Sequence, residues 1–353
     1  MQKKSIEIVS GLGMGGAEKA FLNRLGWAPA RTDILVINTR PELSDWKLPS
    51  HIPVVNCRRQ SLIFLWRLHS QIRNHNPDSV TVRSPVDLVA AGVLKFVIRG
   101  RWKLVFESHS THISSSRFKT KLLIPLVRFA LSQTNLVIAV STAVAEGSQC
   151  QGAKKIEVCF QGANVELKLD KDREFIFLFV GRLIDLKQPF LFLRALRRVS
   201  HLFIACGARA KIVGHGPLAS AIAEFIESNQ LQDIVELTGY SQDLDTIYSE
   251  SEYLVSTSRF EGLPLTFFEA KQHGLRIITT PSSGDFDILG SEDVILSDFQ
   301  ESSLIAALDH AVRFGQSAAD ERRSIQEKNQ WMQSKTCAIK YYDLVNSELE
   351  SQS

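Results

Sequence analysis

Apolar residues in this chain come in short runs, separated by polar, glycine-bearing turns and by longer amphipathic stretches. Runs of this length read as strands, and the stretches between them read as helices. In the first half the strands are 5–10, 33–37, 53–55, 79–82, 103–107, 136–140 and 156–158. The helices between them are 17–25, 62–73, 88–98, 122–131 and one opened by Ser141 that ends near Gly152. The second half starts on 175–180, six consecutive apolar residues, which predicts a strand covered on both faces. Further strands follow at 210–213, 234–238, 253–257 and 276–280. After 253–257 a polar loop, 258–262, leads to Pro264 and a helix that Gly274 stops. The tail, 318–349, reads as one helix. Strand and helix in alternation imply α/β architecture with parallel, doubly wound sheets.

Length and charge turn this into two domains. A chain of 353 residues is natural for two, and 168–174 is charged and poor in apolar residues, a plausible linker. Residues 1–168 hold Lys+Arg 23 against Asp+Glu 11, a net of +12, and the remainder holds 18 against 27, a net of −9. We therefore expect domains at 1–168 and 169–330, with 331–353 as a closing segment. The five cysteines show neither a CxxC pair nor a Cys/His ligand spacing, which argues against a zinc site or a disulfide framework. The opening residues do not read as a signal peptide, and no apolar run reaches the roughly 18 residues of a membrane span. A basic first half points to an anionic partner, phospholipid or nucleic acid.

Candidate chemistry gathers at strand ends. The loop before the 265–274 helix carries Glu261, and Glu269 lies about five residues inside the helix, roughly 7 to 8 Å along its axis. The helix start at Gly262, Leu263, Pro264 and Leu265 presents unpaired amides, suited to an anion. With phosphate there, Glu269 can accept ribose hydroxyls and Glu261 faces whatever the phosphate carries. The plainer alternative makes Glu261 a complement to the helix dipole and Glu269 a solvated side chain. Gly181-Arg182-Leu183, with Lys187 beyond, offers close backbone approach and two cations, which a diphosphate needs. Gly214 and the Gly239-Tyr240 pair end two more strands. In the first half, Gly11 to Gly16 fits the dinucleotide fingerprint, but the next strand ends in Asn38-Thr39-Arg40 without an acid. An NADP enzyme could use Arg40. His109 and His112 follow the strand 103–107, and the cations of 99–103 and 117–121 sit beside Trp102, Phe118 and Leu122. Those cations suit either a membrane surface or a solvated face.

The Glu-x7-Glu spacing of Glu261 and Glu269, the Gly-Arg-Leu with its following lysine, and the Gly-Gly-Ala-Glu at 15–18 together resemble the retaining GT-B glycosyltransferases of family 4. The resemblance spans nearly the whole chain and is most specific across 175–285. It implies two Rossmann-like domains facing across a cleft, with the last helix, 336–349, packed back on the first domain. It implies a retaining hexosyl or N-acetylhexosaminyl transfer from a nucleotide-sugar, with uridine the commonest base. The acceptor would be a saccharide, on a lipid carrier or as a lipopolysaccharide or polysaccharide intermediate, at the cytoplasmic membrane face. Arg182 and Lys187 would hold the leaving diphosphate, Glu261 the sugar hydroxyls and Glu269 the ribose. Gly15, Gly16, Gly181, Gly214, Gly239, Tyr240 and 262–265 would surround the donor. His109 would face the transferred sugar, with His112 as rival. No cofactor and no metal are expected, since Asp243-Leu244-Asp245 reads as a helix start, and the partners include an anionic membrane but no nucleic acid. Gln161-Gly162-Ala163-Asn164 departs from the family's Asn-Gly-x-Asp at both polar positions. Two rivals remain: an NADP oxidoreductase built on Gly11 to Gly16, and a non-enzymatic nucleotide- or nucleic-acid-binding protein.

Overall fold

The computed structural model describes residues 2–11, 16–43, 48–59, 63–110, 117–166, 174–282 and 288–350, with the side chains of 43 and 117–122 outside the description. The chain divides into two compact units, Met1–Gly162 with Ser334–Ser353, and Ala163–Gln333.

The first unit runs β1 (Lys3–Val9), α1 (Gly16–Leu25), β2 (Thr32–Asn38), β3 (Val54–Asn56), α2 (Phe64–His75), β4 (Ser79–Val82), α3 (Pro85–Val97), β5 (Lys103–Ser108), α4 (Arg117–Ser132), β6 (Leu136–Ala139), α5 (Thr142–Glu146) and β7 (Ile156–Val158). Its seven strands are parallel in the order β3-β2-β1-β4-β5-β6-β7. The order reverses between β1 and β4, so the sheet is doubly wound and its ligand crevice belongs beyond their carboxyl ends. Ser84 starts α3 by accepting the Asp87 amide at 3.1 Å, with Pro85 in the first turn where it needs no amide. Ser141 caps α5 in the same way, but α5 ends at Glu146 because Gly147 turns extended, well short of Gly152.

The second unit runs β8 (Ile176–Val180), a 3-10 turn (Asp185–Lys187), α6 (Pro189–Cys206), β9 (Arg209–Val213), α7 (Ala219–Ser228), β10 (Val235–Gly239), α8 (Leu244–Glu250), β11 (Tyr253–Ser256), α9 (Leu265–Gln272), β12 (Arg276–Thr279), β13 (Val294–Ile295), α10 (Glu301–Phe314) and α11 (Ala319–Lys328). Its strands, again parallel, lie in the order β10-β9-β8-β11-β12-β13, reversing between β8 and β11. The apolar run at 175–180 is buried as far as Phe179, with Val180 half-buried at its end and Phe177 stacked on Tyr253 at 4.8 Å.

The tail is broken rather than continuous. α11 stops where Asn329 leaves helical geometry, a 3-10 turn at Gln330–Met332 follows with Met332 fully buried, and α12 (Ser334–Glu350) begins after the extended Gln333. Tyr341, Tyr342 and Val345 of α12 join the first unit's core beside Val105, Leu136 and Ile138. No helix among the described residues is long and apolar enough to cross a membrane.

Candidate functional site

In the second unit, the residues singled out by spacing converge at the switch between β8 and β11. Gly181 leaves β8 with its amide donated to the Val213 carbonyl at 3.0 Å. Beyond β9 the chain turns at Gly214, whose φ is +145° and whose missing Cβ would lie 1.9 Å from the Gly181 carbonyl oxygen. A Cβ at Gly216, where φ is +159°, would lie 2.4 Å from the Leu183 carbonyl oxygen. Only glycine allows these backbones to meet, so the turn after β9 braces the turn that presents Arg182. The Gly214 amide donates to the Gly239 carbonyl at 2.7 Å, and half-exposed Tyr240 stands edge-on to His215.

Arg182 is exposed and has no ion-pair partner among the described residues. Lys187 differs: its ammonium is paired with the Glu261 carboxylate, which also accepts the Ser258 hydroxyl at 2.6 Å. Thr257 ties the two loops together, its hydroxyl donating to the carbonyls of Lys187 and Gln188 at 2.9 Å each, and the Arg259 amide donates to the Leu186 carbonyl. The loop after β11 is therefore sewn to the 3-10 turn after β8. Gly262 and Pro264 are buried, Leu263 is half-buried, and Pro264 caps α9 without a side-chain acceptor for the first amides.

Glu269, one turn into α9, is not the solvated side chain of the plainer alternative: it is 4 % exposed. Its Oε2 accepts the Tyr248 hydroxyl at 2.9 Å. Burial, then the Glu269 charge, pushes the Tyr248 phenol well above its usual range, so it remains a donor. His273 stacks on the Tyr248 ring at 5.6 Å and meets Asp245 Oδ1 through Nε2 at 3.0 Å. Asp243 caps α8 through the Thr246 amide, so the two aspartates of 243–245 serve α8 and His273 respectively. Among the described residues no group of three or more His, Cys, Asp or Glu could hold a metal.

The first unit puts charge elsewhere. Glu107 is buried against Arg24 at 2.8 Å and Arg83 at 3.0 Å, and Arg83 also binds Glu7 at 2.5 Å. The guanidinium of Arg24 lies 3.7 Å from the Tyr341 ring centre and that of Arg83 4.1 Å from Phe21. Burial opposes the Glu107 charge, but the two arginines outweigh it and hold the carboxyl well below its ordinary range. His109 sits between Glu107 Oε1, 3.2 Å from its Nε2, and the Gln161 amide, 3.2 Å from its Nδ1. At the end of β2, where a dinucleotide enzyme has an acid, Asn38 Oδ1 accepts the amides of Gly11 at 3.2 Å and Arg40 at 3.0 Å, while Arg40 pairs with Glu42. Gly16 is the exposed first residue of α1; Gly15, His112 and the side chains of 117–122 lie outside the described residues. Arg99 and Arg101 are exposed, but Trp102 is buried under Lys95, so the apolar neighbours offered to solvent are Phe96 and Val97 instead.

Residues 174–313 match the family described as Glycosyl transferases group 1, and residues 30–167 match the one described as Glycosyltransferase Family 4. This chain belongs to the group 1 glycosyltransferases. It is 32 % identical over 119 residues to an uncharacterised glycosyltransferase of Methanocaldococcus jannaschii, a stretch covering 33 % of this chain and 29 % of that protein. It is 28 % identical over 123 residues to the Escherichia coli UDP-Gal:alpha-D-GlcNAc-diphosphoundecaprenol alpha-1,3-galactosyltransferase, covering 35 % and 32 % respectively. The matched stretches thus span about a third of these relatives' lengths. The crystal structure of Anabaena HepE in complex with UDP superposes with a TM-score of 0.78 at 17 % identity, covering 98 % of this chain and all of that one. That likeness shows the GT-B fold class of two parallel-sheet α/β units. The glycosyltransferase's Tyr248, Ser258 and Gln161 were not read as site residues from sequence; Ser258 lies three residues before Glu261 on the same loop and Gln161 opens the loop that departs from the family's Asn-Gly-x-Asp, so both carried a signal, and Tyr248 carried none.

Proposed function

We propose that this glycosyltransferase moves a sugar from a UDP-sugar to a saccharide acceptor with retention of configuration. One observation carries the reading: beyond β8 and β11 the second unit assembles two cations, two glutamates eight residues apart and a helix start without a side-chain cap. A diphosphate takes the charge of Arg182 and Lys187 and the first amides of α9, which stabilises the negative charge that grows on the leaving oxygen. No metal is required in this scheme. Lys187 then shares its ammonium between the diphosphate and Glu261, and Glu261 is left to bind sugar hydroxyls. Glu269, with Oε2 held by Tyr248, accepts the ribose. The departing phosphate helps to deprotonate the acceptor on the same face of the sugar. The UDP bound in the HepE structure and the diphosphoundecaprenol acceptor in the Escherichia coli relative's name support a UDP donor and a lipid-linked acceptor. Exposed Arg99 and Arg101 beside Phe96 and Val97 support reversible contact with an anionic membrane at its cytoplasmic face.

The test is a thermal-shift screen of sugar nucleotides, followed by NMR of the product's anomeric centre. Stabilisation by a UDP-sugar and an axial-for-axial product support the reading. Stabilisation by NADP alone, or an inverted product, overturns it.

A further inference from the structure

The starting ends of β5, β6 and β7, opposite the end of the sheet that leads to His109, border an open pocket of about 430 Å3. Lys95 of α3, Lys154 and Lys155 before β7, and Glu348 of α12 line it. Lys95 donates to the Gln133 carbonyl at 3.1 Å and to Asn135 Oδ1, and among the described residues no carboxylate lies within ion-pair distance of it. Lys103, at the start of β5, is nine-tenths buried; its ammonium has no hydrogen-bond acceptor among the described residues, and its carboxylate neighbour, Glu348, is 3.7 Å away. The same Glu348 also serves Lys155 at 3.3 Å. Among the described residues, Lys103 and Lys155 thus both pair with Glu348, the carboxylate that lines the pocket, while Lys95 and Lys154 add two more positive charges beside it.

We propose that this pocket is a binding site for a phosphate-bearing anion, separate from any donor nucleotide. The hydroxyls of Ser132 and Thr134 donate inward, to the carbonyls of Phe129 and Ala130, so the charged donors that face the pocket are lysines. Lysine ammoniums recognise phosphate as point charges rather than by planar fit. A surplus of cations over carboxylates suits a multiply charged anion better than a carboxylate. Lys95 registers the imbalance: burial, then the charges of Lys103 and Lys154, bring its ammonium down to about 8, with Glu348 acting the other way. A phosphate would relieve the crowding. Glycosyl transfer as proposed above makes no use of this end of the sheet, so the inference stands apart from that reading.

The experiment follows the Lys95 side chain by 13C NMR in the full chain, with UDP present in excess, and assigns the signal with Lys95→Arg. Inorganic pyrophosphate is titrated in one arm. Phosphatidylglycerol vesicles are tested in a second arm, against phosphatidylcholine, for competition with bound pyrophosphate. Pyrophosphate raises the Lys95 midpoint by about one unit, and the double variant Lys154→Glu/Lys155→Glu, altered only at exposed positions, binds it about tenfold or more weakly. Competition by phosphatidylglycerol identifies a lipid headgroup as the source; pyrophosphate binding without competition identifies a soluble phosphate. A Lys95 midpoint unmoved by pyrophosphate, or a double variant that binds it as the wild type does, overturns the proposal. Because Lys95 reports locally, the result is legible whether or not UDP binds elsewhere.

Discussion

The two units share a sheet plan and treat charge at the switch point in opposite ways. In the first, Arg59 reaches Asp87 at 2.8 Å and also Ser10, Thr39 and Ser84, while Arg24 and Arg83 are consumed by Glu7 and Glu107. The crevice beyond β1 and β4 is thus neutralised from within. In the second, the corresponding ends carry exposed Arg182, a Lys187 held by a glutamate on a neighbouring loop, and glycines that bring backbone against backbone. Charge that is buried and paired fixes a fold; charge left at a glycine-lined strand end is available to a ligand. The same topology can therefore make one unit a frame and the other a donor site.

The largest way to break this comparison is in the frame. Glu107→Gln leaves Arg24 and Arg83 buried with one carboxylate fewer, and we expect a loss of about 3–5 kcal/mol in stability by urea denaturation. The pH dependence has a definite sign. The carboxyl of Glu107 is depressed in the fold, so its contribution is complete above the ordinary carboxylate range and is lost as pH falls through the depressed value. The variant should flatten that acid limb; an unchanged limb assigns acid unfolding to other groups.

Next in size is Gly214→Ala. Its Cβ would meet the Gly181 carbonyl oxygen at 1.9 Å, whereas Cβ atoms at Gly207 and Gly315, also at positive φ, meet open space. We expect more than about 2 kcal/mol at Gly214 and about 1 kcal/mol at the other two. Equal losses at all three would mean that backbone conformation, not the bracing of β8 by the turn after β9, makes Gly214 necessary.

On the donor side, Arg182→Ala and Lys187→Ala should each reduce turnover of a UDP-sugar by about tenfold or more, with chelator having no effect. Activity abolished by EDTA and restored by manganese would assign the work to a metal. Smallest is the membrane contact. Reversal of Arg99 and Arg101 should weaken sedimentation with phosphatidylglycerol vesicles at low salt by about 1 kcal/mol per charge, and high salt should release the wild type. Vesicle binding that ignores both salt and reversal would point to the apolar Phe96 and Val97 alone.

Most strands were legible because buried parallel strands are short apolar runs, and the run at 175–180 admits little else. The break in the tail was not, since Gln330, Trp331 and Met332 differ little from helix in composition. α10 was also unread, although Leu304, Leu308, Ala311 and Val312 recur at helical spacing and are buried. Glu261 and Glu269 could be chosen by spacing, but not their partners. Sequence separation hides the Tyr248 hydroxyl on Glu269 and the Lys187 ammonium on Glu261, because each bond joins different loops or helices. Trp102 shows the reverse failure: its basic neighbours suggested exposure, and the fold buries it beneath Lys95.

The central claim is that the second unit divides the donor between its two glutamates, and UDP calorimetry on Glu269→Ala and Glu261→Ala tests it most directly. Glu269→Ala should lose about 1.5–3 kcal/mol of UDP affinity. Glu261→Ala, which frees Lys187 for the diphosphate, should bind UDP at least as well as the wild type while turning over poorly. Equal loss of UDP affinity in the two variants would contradict the account.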